Sequence, residues 1–276
     1  MFVMIFMKKY FFYLLFLLSF LLSGINLYEN FIKTPINSKI ERSEEEFDAK
    51  LYGLNTLSKV ISYVDKQYGS SEIKSTDSLL YANLMARTLR LRFYHGWSRY
   101  GFRDNWVLFL MRPIHKHALG IVDPNDILNY PQALCSQQAI VGMEALKKRG
   151  YQYRKVGFYD SQYENGHFTY EILLKDGWHY YDLDMEPNLH IMESNNRPSI
   201  DSLATNDSLR RAAYSNATTE IKDQLIPKYN NNHPINVFPA TNMLLFHRIT
   251  MFLSYTLWLW IGIYLWRTTK KPKKNS

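Results

Sequence analysis

Two apolar runs near the ends of the chain constrain everything between them. The first, Tyr10 to Ile25 (YFFYLLFLLSFLLSGI), follows Lys8 and Lys9. The second, Ile249 to Trp266 (ITMFLSYTLWLWIGIYLW), carries no charge and is followed by RTTKKPKKNS. A helix crossing the hydrocarbon core needs about 20 mostly apolar residues, within a range of about 17 to 25. The second run has that length, and Trp258, Trp260, Tyr264 and Trp266 gather toward its basic end, as interfacial aromatics do. The first has the basic start and apolar middle of a signal peptide, but the middle is long and no small-residue cleavage site follows. It reads as an uncleaved anchor, with a cleaved signal peptide as the alternative.

Lysines on the outer flank of each run put both termini in the cytoplasm by the positive-inside rule. The expected protein is therefore a two-pass membrane protein whose main domain is extracytoplasmic. Its expected parts are an anchor or signal peptide at 1–26, an extracytoplasmic domain at 27–245 with its core at about 75–190, a transmembrane helix at 249–266 and a basic cytoplasmic tail at 267–276. The net charge of +8 does not mark a nucleic-acid binder. Lys8, Lys9, Arg267, Lys270, Lys271, Lys273 and Lys274 lie at the anchors, and 33 basic residues less those seven leaves 26 against 25 acidic ones. The basic excess belongs beside the lipid bilayer, where it sets orientation and meets anionic headgroups.

Between the anchors the pattern changes from helical to strand-like. SEEEFDAKLYGLNTLSKVISYVDKQYG opens with Ser43 and Glu46 in capping-box spacing and continues with helical periodicity. STDSLLYANLMARTLRLRFYHG predicts a second amphipathic helix ending at Gly96, and Pro113, Pro124 and Pro131 break up the irregular stretch that follows. A third helix is expected from Cys135 to about Gly150. YQYRKVGFY, HFTYEILL and WHYYDLD then predict three strands, the last two joined by the turn KDG. The Asn- and Ser-rich segment after Asn188 reads as a long surface excursion with one or two short helices. Helices first and strands later favour an α+β fold over an alternating α/β one.

Cys135 is the only cysteine, so no disulfide can form within the chain. It follows the Pro131 break and opens a predicted helix, where unpaired N–H groups and the helix dipole favour a thiolate. A nucleophilic cysteine also needs a base, and the base needs an orienting acceptor. His167 opens one predicted strand, and Asp182 lies on the next strand of the same hairpin. Adjacent antiparallel strands can set two such side chains together. Asp184 competes with Asp182, because it falls on the same strand face at period two. The histidines at 115 and 117 lack further ligands at recognisable spacing, so no metal and no cofactor is expected.

These stretches resemble the transglutaminase-like superfamily, which shares the papain-type core. Cys135 is followed four residues on by Ala139, and Gly150-Tyr151-Gln152-Tyr153-Arg154 stands where the family has a G-I-P-A-R turn. HFTYE gives His167 and Glu171, and DGWHYYD gives Trp178 and Asp182 at the family's spacing. Tyr170 comes one place after the family's tryptophan, Ser136 replaces the tryptophan that follows the cysteine in animal enzymes, and Gln152 replaces the turn's proline. The resemblance covers about Asp126 to Pro187. It implies a transglutaminase-like (papain-like) domain with N-terminal helices packed on an antiparallel sheet, flanked by two transmembrane helices. It implies acyl transfer on an amide of a peptide or protein through a Cys135–His167–Asp182 triad, with hydrolysis favoured over cross-linking. Gln132, Trp178 and Asp184 are the supporting candidates, Gln132 because papain-like sites carry a glutamine upstream of the cysteine. The alternative is a non-catalytic binding or assembly module of a cell-surface or envelope protein complex.

The paired basic flanks generate a first test. Reporter fusions after Ser276 and near Asn195 are expected to report opposite compartments, and one compartment for both would remove the two-anchor arrangement.

Overall fold

A computed structural model of the chain describes residues 2–32, 47–70, 77–114, 116–158, 166–185, 187–217, 222–223 and 226–269. The helices are α1 (Phe2–Ile32), α2 (Leu57–Gly69), α3 (Ser78–Arg92), α4 (Trp106–Leu110), α5 (Pro124–Ile127), α6 (Cys135–Lys148), α7 (Leu189–Ser194), α8 (Ile200–Thr205), α9 (Asp207–Ala213) and α10 (Thr241–Thr269). The strands are β1 (Tyr94–His95), β2 (Gln132–Ala133), β3 (Gln152–Phe158), β4 (His167–Leu174), β5 (Gly177–Tyr181) and β6 (Tyr229–Asn230). The chain is thus mixed helix and antiparallel sheet, and it divides into two units.

One unit, covering Ile36–Ser98 and Val122–Ala240, carries the sheet, ordered β5-β4-β3-β6 with antiparallel neighbours. Register sets the two faces. Tyr153 lies opposite Ile172 and Tyr170 opposite Tyr181, so these four buried side chains share one face, against which α6 packs. α2 and α3 pack in turn on α6. The opposite face carries Val156, Phe158 and Tyr180, buried against Met192, Ile200, Leu203, Ala213, Tyr214 and Ile226.

Local chemistry explains where the helices begin and end. Thr56 caps α2 by accepting from Lys59 N–H, and Asp77 caps α3 by accepting from Leu79 and Leu80. α6 ends with Gly150 at φ +85°, where Tyr151 N–H reaches Leu146 O and Gly150 N–H reaches Lys147 O. That pairing satisfies the last carbonyls and needs a residue tolerant of left-handed backbone. The helix expected from Ser43 differs. Ser43 and Glu46 lie outside the described residues, and a 3₁₀ turn at Ala49–Gly53 precedes α2, which starts only at Leu57. The second predicted helix stops at Arg92, because Tyr94 and His95 pair as a strand.

The segment after Asn188 corrects a sequence expectation. α7, α8 and α9 do not form a surface excursion; they cover the second face of the sheet with Met192, Ile200, Leu203 and Ala213. Their many Asn and Ser residues serve as caps: Asn188, Ser199 and Asn206 each start a helix.

The other unit contains α1, α10 and the segment Arg99–Ile121, a stretch that the sequence assigned to the middle domain. The Tyr10–Asn30 part of α1 and the whole of α10 are long and apolar enough to cross a membrane. They pack through aromatics, Phe16 and Phe20 against Trp258 and Phe12 against Tyr264. Polar atoms join them too. Ser23 Oγ donates to Ser254 O at 2.7 Å, Trp106 Nε1 donates to the same carbonyl at 2.9 Å, and Asn105 Nδ2 donates to Thr250 Oγ1 at 3.0 Å.

Gly142 provides a test of the packing between α6 and the sheet. An alanine in a helix interior ordinarily stabilises by roughly 1 kcal/mol over glycine. At Gly142 an added Cβ would lie 2.7 Å from Tyr170 Oη and 3.0 Å from its ring, and Tyr170 is fully buried and stacked on Tyr181. Gly142→Ala is therefore expected to destabilise by about 1 to 3 kcal/mol, read as a lower midpoint of thermal unfolding; an unchanged or higher midpoint contradicts this packing.

Candidate active site

The N-terminus of α6 is held by the chain on both sides of it. β1 and β2 pair in parallel, with Tyr94 opposite Gln132 and His95 opposite Ala133. Gly96 permits that approach, since a Cβ there would meet Gln132 Cβ at 2.9 Å. The buried Arg92 guanidinium donates to Tyr130 O at 3.0 Å and Leu128 O at 2.6 Å, fixing the segment before β2. Burial lowers the pKa of Arg92 to about 10, which leaves it charged at neutral pH. Gln137 ties the first turn of α6 to Ser98: its Oε1 accepts from the N–H groups of Leu134 and Ser98, and its Nε2 donates to Ser98 O. Cys135 is the first residue of this helix, and it is partly exposed.

His167 begins β4 opposite Phe158, whose ring stacks on the imidazole at 5.5 Å. The imidazole is buried, and its Nε2 lies 2.8 Å from Asp182 Oδ2. Nε2–H therefore donates to Asp182, and Nδ1 is the nitrogen left for the thiol. Asp182 is equally buried and accepts four more hydrogen bonds. Tyr180 Oη and Tyr214 Oη donate to Oδ2 at 3.3 Å each, and the N–H groups of Asp184 and Met185 donate to Oδ1 at 3.2 and 3.0 Å.

The electrostatics of the pair follow from this arrangement. Burial is the largest influence on Asp182 and raises its pKa, but the imidazolium, its hydrogen bond and the two backbone amides outweigh burial and hold the carboxyl below its ordinary value. Burial is also the largest influence on His167 and lowers its pKa. Asp182, with Cys135 beside the ring, outweighs it and lifts the imidazole well above the usual histidine value.

Asp184 occupies the same locality but serves other neighbours. β5 ends at Tyr181, three residues before Asp184, so the period-two argument for Asp184 does not apply. Its Oδ1 lies 2.7 Å from His95 Nδ1 and accepts from Gln138 Nε2 at 3.2 Å. A carboxylate oxygen of Asp184, Cys135 Sγ and a ring nitrogen of His167 all lie within 4.8 Å of one another. A cleft of about 480 Å³ opens beside Asp184 and Tyr214, with Arg90, Asn188, Ser215 and Asn216 on its wall.

The remaining candidates have other contacts. Gln132 lies on β2, and its Oε1 accepts from Tyr94 Oη at 3.2 Å. Trp178 is covered by the Arg154 guanidinium at 4.2 Å, and Arg154 pairs with the buried Glu171 at 2.7 Å. Glu171 in turn accepts from Ile200 N–H at 2.8 Å, so Trp178 and Glu171 tie the sheet to α8. His115 lies outside the described residues. Sequence reasoning missed His95, Gln138, Tyr180 and Tyr214. Tyr180 and Gln138 carried a usable signal: one lies two residues before Asp182 and the other one turn after Cys135. His95 and Tyr214 arrive through tertiary pairing and carried none.

The buried pair generates a pH prediction. The raised pKa of His167 stabilises the fold below the unfolded histidine value of about 6.5, and this is lost as pH rises through the folded value. The depressed pKa of Asp182 stabilises it above the unfolded value of about 3.9, and this is lost as pH falls through the folded value. Asp182→Asn is therefore expected to cost most between about pH 4 and 6.5, by roughly 3 kcal/mol, and less above and below. Denaturant unfolding of both proteins across pH checks this; a difference independent of pH would mean that the two groups are not ionised together.

No protein-family model, no curated protein and no solved structure matches this chain.

Proposed function

We propose that the protein is a membrane-anchored cysteine enzyme of transglutaminase-like fold that transfers the acyl group of an amide or peptide bond. The observation that carries this reading is the order of contacts at one partly exposed thiol. Asp182 holds Nε2 of a buried imidazole, and Nδ1 is left beside Cys135 at the start of α6. A base oriented by a carboxylate and set next to a nucleophile at a helix N-terminus is the arrangement such chemistry requires.

The steps follow from those roles. The proton of Cys135 rests on His167 Nδ1, and the thiolate sulfur attacks the carbonyl carbon. The tetrahedral oxyanion is stabilised by first-turn N–H groups of α6, including that of Cys135. The imidazolium, held by Asp182, returns its proton to the leaving amine as the C–N bond breaks. Water then cleaves the thioester, giving the acid and the free thiol. An amine could take the place of water, but water is abundant, so hydrolysis is the favoured outcome. The cleft beside Asp184 and Tyr214, with asparagine and arginine on its wall, suits a polar peptide or protein carboxamide. The apolar helices α1 and α10 serve as anchors with both termini cytoplasmic and the sheet-bearing unit outside.

The full-length chain in detergent tests the central claim. Iodoacetamide is expected to label it at about pH 6 to 6.5, where an ordinary thiol with a pKa of about 8.5 is almost wholly protonated. His167→Ala is expected to slow labelling roughly tenfold or more, because each unit of thiol pKa changes the thiolate fraction tenfold. A thiol that reacts only after unfolding would mean a buried structural cysteine, and the non-catalytic binding module would become the better reading.

A further inference from the structure

The same locality has the makings of a metal site. We propose that Cys135, His167 and Asp184 bind a thiophilic divalent cation, with Zn²⁺ the best match to the donors, and that the bound ion silences the thiol. The inference does not rest on the acyl-transfer reading, since a chelating thiol need not be a nucleophile.

Three observations carry it. First, the donors are one sulfur, one imidazole nitrogen and one carboxylate oxygen, all within 4.8 Å of one another. Tetrahedral zinc bonds of about 2.0 to 2.3 Å put neighbouring donors about 3.3 to 3.8 Å apart, so a contraction of roughly 1 Å closes the set. Second, each donor of the rigid pair is already held from behind. His167 donates its other ring N–H to Asp182 at 2.8 Å, which fixes the ring and directs Nδ1 as the ligand. Asp184 is held by His95 at 2.7 Å and by Gln138 at 3.2 Å. Ligating histidines and carboxylates are supported in this way by outer hydrogen bonds. Third, the imidazole is only 6% exposed and its Nδ1 is left for the thiol alone, so a cation set between them takes the place of one proton.

The donor set also selects the ion. Thiolate and imidazole disfavour Ca²⁺ and Mg²⁺, which prefer oxygen. Binding releases to solvent the single proton shared between the thiol and Nδ1. With the sulfur electron pair on the metal and Nδ1 occupied, neither nucleophile nor base remains.

Metal alone serves as the probe. The metal-free full-length chain is titrated with Zn²⁺ while labelling of Cys135 by iodoacetamide and competition with a chromogenic chelator are followed. One Zn²⁺ per chain is expected to protect the thiol, and Ca²⁺ at the same concentration is expected not to. Co²⁺ in place of zinc is expected to show a thiolate-to-metal charge-transfer band that Cys135→Ala loses. Asp184→Asn keeps the shape of the carboxylate and is expected to bind Zn²⁺ at least about tenfold more weakly, with protection scored against its own zinc-free rate. Should that variant unfold, His167→Gln is the second, with the same loss expected. Equal zinc affinity in wild type and a folded variant, or labelling indifferent to zinc, overturns the site. A chain labelled at pH 6.5 but blind to zinc loses this proposal and keeps the acyl-transfer reading; a chain that binds zinc but whose metal-free thiol is inert does the reverse.

Discussion

Asp182 is a fully buried carboxylate, and the architecture of the sheet-bearing unit is arranged around its needs. An isolated charge in such a place would be neutralised by a shifted pKa, so the charge persists only because it is paired and saturated with donors. His167 comes from β4, Tyr180 from β5, the two amides from the chain just after β5, and Tyr214 from the residue after α9. Each donor fixes a different part of the fold. The β3–β4 pairing, with His167 opposite Phe158, sets the imidazole, and the last helix of the second layer must pack closely enough to deliver Tyr214. Tyr180 Oη and Tyr214 Oη also lie 3.1 Å apart, so the hydroxyls form a small network around one oxygen. Partial loss of such a network costs more than its average bond, because the remaining charge stays buried.

The unit with the apolar helices follows a different logic. Aromatic rings from α1 interdigitate with α10, but packing among apolar side chains alone specifies register weakly. The Ser23 hydroxyl bonded to Ser254 O does specify it, and Asn105 and Trp106 bond to Thr250 and Ser254 of α10 from the Arg99–Ile121 segment. Asn26 also donates to the Arg103 carbonyl, and Arg103 pairs with Glu29. Polar pairs between apolar helices are modest in energy but directional. They explain why the Arg99–Ile121 segment belongs with these helices. His247 completes the tie, its Nε2 donating to Ala118 O at 2.6 Å.

Much of this was legible where a residue's own neighbours dictate its structure. Cys135 at the head of a helix, Gly150 near its end and His167 at the start of β4 follow from local periodicity, whereas Asp182, expected on the second strand of the hairpin, lies one residue past the end of β5. Two regions were not legible, for opposite reasons. The segment after Asn188 looked like surface because its caps are polar, and its few apolar residues are spaced over helices too short to show a period. The stretch from Arg99 looked like a loop in the middle domain because Asn105 and Trp106 have partners near residue 250. No local pattern encodes a contact of that separation. His95 is the same kind of omission, brought to Asp184 by the pairing of β1 with β2.

The two carboxylates near the thiol show how a strand end separates roles. Had β5 continued past Tyr181, Asp182 and Asp184 would share one face and compete for one imidazole. The strand stops, and Asp182 Oδ1 accepts the N–H of Asp184 and Met185, folding the chain back over its own carboxylate. Such a side-chain-to-backbone turn is a common use of aspartate. It buries Asp182 against Nε2 and moves Asp184 toward His95 and Gln138, on the side where Cys135 lies. One carboxylate is then committed to charging and orienting the ring. The other remains near the sulfur with a supported oxygen, so the single cysteine has an imidazole nitrogen and a carboxylate oxygen within 4.8 Å. On the two proposals above, a carbonyl carbon would engage sulfur and Nδ1, and a cation would engage all three.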